Sequence, residues 1–188
     1  ISGATSLYGG GSTGGLINIV TKKGQPETMM EFEAGTKSGF SSSKDHDERI
    51  AGAVSGGNEH ISGRLSVAYQ KFGGWFDGNG DATLIDNTQT GLQYSDRLDI
   101  MGTGTLNIDE SRQLQLITQY YKSQGDDDYG LNLGKGFSAI RGTSTPFVSN
   151  GLNSDRLPGT ERHLISLQYS DSAFLGQELV GQVYYRDE

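Results

Sequence analysis

The 188-residue sequence has no cysteine, only three prolines, a single tryptophan and no long apolar run. Without cysteine, neither a disulfide framework nor a thiolate metal site is available. No stretch approaches the roughly 20 consecutive apolar residues of a membrane-crossing helix. With a mean hydropathy of −0.51, the chain would pass as soluble on hydropathy alone. That inference fails for barrels, whose strands alternate apolar and polar residues and average out as polar. Positive charge is scarce too: 15 Lys and Arg stand against 23 Asp and Glu, for a net charge of −8. A nucleic-acid binder carries a basic face, so nucleic acid is not expected as a partner. His46, His60 and His163 are scattered without metal-ligand spacing. No Ser–His–Asp set and no paired carboxylates stand out, so the chain does not read as an enzyme.

What the sequence does have is glycine, 29 residues of it, and alternation. Ile61, Gly63, Leu65, Val67 and Tyr69 alternate with Ser62, Arg64, Ser66, Ala68 and Gln70. Leu98, Ile100, Gly102, Gly104, Leu106 and Ile108 alternate with Asp99, Met101, Thr103, Thr105 and Asn107. The same period recurs around Leu114–Tyr120, Leu164–Ser170 and Leu179–Arg186, and less cleanly over Met29–Thr36 and Arg49–Gly56. Period two means strands with one apolar and one polar face. About seven such strands are predicted after residue 24, with no amphipathic helix. Their connections alternate in length. Gly57–His60, Asp109–Arg112 and Asp171–Gln177 are short, while Lys37–Glu48, Gly73–Asp96 and Ser123–Thr160 are longer. Every longer connection then falls at one end, as in membrane barrels. Tyr69, Tyr120, Tyr169 and Tyr185 lie near strand ends on the apolar faces, where an aromatic girdle is expected. The predicted fold class is all-β, antiparallel strands of a transmembrane β-barrel.

The first two dozen residues add a separate signal. A glycine-rich turn, Gly9 to Gly15, feeds the short run Leu16, Ile17, Asn18, Ile19, Val20, Thr21, Lys22. Gly9, Gly11 and Gly14 satisfy the dinucleotide spacing G-x-G-x-x-G, but that motif needs a helix after it. Here the following run is short and β-branched, and no acidic residue ends a second strand, so nucleotide binding is not expected. The stretch Gly3–Lys22, with Leu7-Tyr8-Gly9, Gly14-Gly15 and Ile17-Asn18-Ile19-Val20-Thr21-Lys22, instead resembles the end of the plug domain of TonB-dependent outer-membrane siderophore receptors. The likeness extends into the loop segments Tyr69–Gly80 and Ser123–Gly134.

That resemblance implies a domain organisation. Residues 1–24 would be the C-terminal end of the plug, with Leu7, Tyr8, Gly9, Gly14, Gly15 and Asn18 as its structural motif. Residues 25–188 would be the first seven or so strands of the barrel, incomplete, since such transporters have 22 strands and a plugged lumen. It also implies TonB-dependent uptake of a ferric siderophore in the bacterial outer membrane. Energy would come from the TonB–ExbB–ExbD complex, engaged through a segment outside these residues. Surrounding lipid and lipopolysaccharide, and bacteriocins or phages as opportunistic ligands, follow from the same likeness. No covalent cofactor is implied, only the transported chelate.

Ligand chemistry narrows the candidate residues. The resemblance implies a ferric siderophore of hydroxamate type, and a ferric hydroxamate–citrate complex would be a compact anion that needs aromatic surface and cationic donors. Trp75, Tyr129, Arg141 and Arg156 are the candidate contacts, because the Arg fork suits carboxylates. The acidic stretches, Asp77 to Asp96 and Asp126-Asp127-Asp128, would repel an anion. Asp77, Asn79, Asp81 and Thr83 resemble the start of a calcium loop. Ala82 replaces its required glycine and Thr88 its last glutamate, so a solvated turn is expected. The rival readings are a receptor for another siderophore or haem, a passive porin or adhesin barrel, and a soluble β-sandwich.

Overall fold

A computed structural model describes residues 22, 24, 27–85, 93–126, 128–136, 146–151 and 159–188. It is all-β among these residues. The strands are β1 (Met29–Ser38), β2 (His46–Gly57), β3 (Ile61–Phe72), β4 (Ser95–Asn107), β5 (Arg112–Gly125), β6 (Tyr129–Asn132), β7 (Phe147–Asn150), β8 (Gly159–Phe174) and β9 (Gln177–Asp187). Seven of them form one antiparallel meander in the order β1-β2-β3-β4-β5-β8-β9. The pair β6–β7 forms a separate two-stranded hairpin within the longest connection. The seven predicted strands are therefore present, and the small hairpin is an addition to them. The main strands run 10 to 16 residues, longer than the alternation alone indicates.

The register carries one face straight across the sheet. Phe32 opposes Gly52, which opposes Val67, then Ile100, then Tyr120. One step away, Leu65, Gly102, Thr118, Ile165 and Tyr185 form the next row. Leu116 and Leu167 face each other on β5 and β8. Slipping any strand by one residue would throw its apolar set to the other face, so these patterns fix the pairing.

The burial of the two faces is the reverse of a water-soluble sheet. Among the described residues, Phe72 and Tyr94 are the only buried apolar side chains. The buried set is otherwise polar: Ser55, Thr103, Thr105, Gln115 and Ser166 all lie on the opposite, inner face. The apolar row is open, with Leu65 at 50%, Leu116 at 40% and Leu167 at 42% exposure. An exposed apolar surface of this extent marks contact with a partner or with lipid.

Three tight turns close one end of the sheet. In the β2–β3 turn, the Asn58 side-chain oxygen accepts from the His60 and Ile61 amides. In the β4–β5 turn, Asp109 accepts from the Ser111 and Arg112 amides and from the Arg112 guanidinium. Those donors, the Arg112 side chain foremost, hold the Asp109 carboxyl well below the usual range. Asx side chains stabilise such turns by mimicking a backbone acceptor. The β8–β9 turn, Leu175–Gly176, has positive φ at both residues, 50° and 77°. That is the geometry of a two-residue type I′ hairpin turn, whose twist matches the flanking strands. All longer connections leave from the opposite end.

Candidate functional site

Two surfaces deserve chemical reading: the polar inner wall and the loop mouth above it. The wall is built by ion pairs that cross strands. Arg64 on β3 reaches over β2 to Glu31 on β1, with Nη2–Oε2 at 2.7 Å and Nη1–Oε1 at 3.3 Å. The small side chains Ala53 and Ser55 leave that path open. Lys22 joins the same carboxylate at 3.4 Å, so the chain approaching β1 rests on the inner face. Gly24 is required there, because a Cβ at that position would run into the main chain of Gly63. Further along, Arg49 pairs with Glu33, and Arg162 and Arg186 share Glu188. Gln119 donates to Asp99 at 2.8 Å and Gln182 to Ser166 at 2.9 Å. The result is a wall of neutralised charges and amides, suited to contact with water or a polar filling.

The mouth is organised by Tyr94. Its ring stacks on Tyr129 at 3.9 Å between centroids and 4° between planes. This ties the β6–β7 hairpin to the start of β4. Aromatic pairing adds about 0.5–1.5 kcal/mol beyond area burial. Burial pushes the Tyr94 phenol above its ordinary range. Its hydroxyl occupies the space where a Cβ on Gly74 would stand. The Lys44 ammonium sits 5.3 Å from the Tyr129 ring centre. These residues line a hollow with His46, Lys71 and Asp126. At about 210 Å³ it is smaller than a pocket enclosing a drug-sized ligand, roughly 300–1,000 Å³. It supplies one wall of a site.

Trp75 lies in a neighbouring groove with Lys37, Asp45 and Phe76. Its amide donates to the buried Gln93 side chain at 3.0 Å, and its carbonyl accepts from Thr83. Within that groove, the Ser38 hydroxyl and the Ser41 amide hold Asp45 below the usual carboxylate range. The candidates Trp75 and Tyr129 are thus both at the mouth but in adjacent hollows. Arg141 and Arg156 lie outside the described residues, as do the plug positions Leu7, Tyr8, Gly9, Gly14, Gly15 and Asn18. The calcium-like segment is a turn: Asp77 accepts from the Asn79 and Asp81 amides, and Phe76 bridges Ala82. Tyr94, Lys44 and Arg97 escaped the sequence reading. For Arg97 a signal existed, since it continues the inner-face series of Asp99, Met101 and Thr103.

The comparisons fit this geometry. Over all 188 residues the chain is 98% identical to a ferric aerobactin receptor of Klebsiella pneumoniae and 97% identical to one of Escherichia coli. It is 40% identical to a rhizobactin receptor of Rhizobium meliloti, again along the whole chain. The chain spans about a quarter of the length of each of these relatives. No family model matches it, and no solved structure does. The resemblance to siderophore receptors read from the sequence is borne out along the whole chain.

Proposed function

We propose that this chain forms part of the wall of an outer-membrane receptor that imports a ferric siderophore, ferric aerobactin, by TonB-dependent transport. The observation that carries the membrane assignment is the inverted sheet: the buried strand side chains of β2, β4, β5 and β8 are polar, while the apolar face stays exposed in register across the seven strands. A hydrocarbon surround makes that arrangement favourable, and antiparallel strands cross it with every backbone group paired once the barrel is closed. The near-identity to ferric aerobactin receptors supports the ligand.

In this reading residues 1–24 end the plug and residues 25–188 supply the barrel's first seven wall strands. The tight turns at Asn58 and Asp109 face the periplasm, and the segments containing Lys44, Trp75 and Tyr129 face outward. The inner wall, with its paired Arg and Glu side chains, faces the plug. The chain acts by binding and conducting a ligand and performs no bond chemistry. TonB and its inner-membrane complex supply the energy through a part of the receptor beyond these strands.

The test uses the full-length receptor in cells lacking other siderophore receptors. Radioiron-loaded aerobactin should enter these cells when TonB is present and fail to enter when it is deleted. On intact cells, Asn79→Cys should react with a membrane-impermeant thiol reagent, while Asn58→Cys and Glu110→Cys should not. Uptake that persists without TonB would replace active transport by a passive pore. Uptake of ferric rhizobactin in place of ferric aerobactin would reassign the ligand.

A further inference from the structure

Six arginines lie among the described residues, and five of them hold a carboxylate. Arg49 pairs with Glu33, Arg64 with Glu31, Arg112 with Asp109, and Arg162 and Arg186 with Glu188. Arg97 is the exception. It stands on the inner face of β4, two residues from the mouth end of that strand. No ion pair reaches it among the described residues, and its Nε, like that of Arg162, is buried without a hydrogen-bond partner; Arg162 differs in holding Glu188. The carboxylate nearest along its own face, Asp99, accepts from Gln119. Asp96, the preceding residue, accepts from the Tyr69 hydroxyl at 2.8 Å, and Asp96 and Asp126 line the same hollow as Arg97 without an ion pair to it. Arg97 is nevertheless held in place. Its guanidinium carbon lies 4.9 Å from the centre of the Phe72 ring, and Phe72 is only 6% exposed.

A guanidinium stacked on a buried ring is oriented in advance, and its remaining N–H groups need an anion. A buried donor without a partner is costly, so its retention calls for an explanation. Every comparable arginine on this wall is neutralised by the chain itself. We infer that Arg97, braced by Phe72, binds a carboxylate of the anionic ferric chelate as it passes from the mouth into the lumen. The inference rests on the transport reading above and adds to it a residue and a chemical group. A fork-shaped donor on an aromatic platform suits a bidentate carboxylate, and a flexible ammonium at the same place would match it poorly.

The experiment measures equilibrium binding of radioiron-loaded aerobactin to TonB-deficient cells carrying the full-length receptor, with surface receptor quantified by an external epitope. Arg97→Gln should raise Kd about 10- to 150-fold, the range set by losing one desolvated charge-assisted contact of about 1.5–3 kcal/mol. Arg97→Lys should recover part of the affinity. Glu110→Gln, a charge change in the β4–β5 turn at the far end of the sheet, should leave Kd within about two-fold. The same series is then repeated with aerobactin amidated only at the carboxylates that do not ligate the iron. For that ligand, wild type and Arg97→Gln should bind alike, because the interacting group has been removed from one side or the other. An Arg97→Gln receptor that binds the native chelate as tightly as wild type would overturn the inference. So would an Arg97→Gln loss that is just as large for the amidated ligand, which would mark Arg97 as structural. Failure of the wild-type receptor to bind ferric aerobactin would instead overturn the transport reading.

Discussion

Leu116→Arg or Leu167→Arg in the full-length receptor should lower barrel stability by about 2–4 kcal/mol, the cost of a cationic side chain near the middle of the hydrocarbon layer. Leu116 and Leu167 are cross-strand partners on the exposed apolar face. Their neighbour Gln168 faces the inner wall and pairs with Gln115 and Gln182. Gln168→Arg should therefore cost much less, because its guanidinium joins a polar surface. Chemical unfolding of the receptor in lipid vesicles, with each variant measured against wild type, gives the comparison. Equal costs at positions 167 and 168 would mean that β8 has no lipid face, and the transmembrane reading would fall with it.

Residues 1–188 produced alone in plain buffer should aggregate. The meander ends in β1 on one side and β9 on the other, and each pairs with a single neighbour among the described residues. Both therefore present a row of unpaired backbone groups, a template for association with other chains. The exposed apolar face adds to this. On β9 alone, Val183 is 68% and Tyr185 62% exposed. With only Phe72 and Tyr94 as buried apolar side chains among the described residues, little apolar burial is present to offset chain entropy. Size-exclusion chromatography and denaturant unfolding decide the matter. A monodisperse, cooperatively unfolding monomer would show that these residues find a soluble two-layer packing, and would favour a β-sandwich.

The main sheet was legible because face and period coincide. In Leu114–Tyr120 every second residue is apolar or aromatic but for Thr118, and the register places that set on one side. Strand ends were less legible for a physical reason. Above Tyr120, the ladder continues through Tyr121, Lys122, Ser123 and Gln124 to Gly125, all still paired with β4. Outside the apolar zone both faces are polar, so alternation stops while hydrogen bonding goes on. The β6–β7 hairpin was hidden because four-residue strands such as Tyr129–Asn132 are too short to show a period. At the mouth, Trp75 and Tyr129 were legible as loop aromatics. Their assignment to adjacent hollows depends on Tyr94, whose stacking on Tyr129 joins residues 35 positions apart in sequence. Arg97 shows the same division. Its face follows from the alternation, but its lack of a carboxylate emerges only when Glu31 is seen reaching Arg64 across an intervening strand.

The most direct test places nitroxide labels one at a time from Gln113 to Tyr121 along β5 of the full-length receptor in a lipid bilayer. Collision with molecular oxygen, which concentrates in hydrocarbon, is measured at each position against a water-soluble paramagnetic complex. Oxygen accessibility should peak at Leu114, Leu116, Thr118 and Tyr120, and fall at Gln113, Gln115, Ile117, Gln119 and Tyr121. That two-residue period, in phase with the exposed apolar face, is the expected result for a strand that forms the wall of a membrane barrel. Maxima at the odd positions, or a flat profile along the strand, would contradict it.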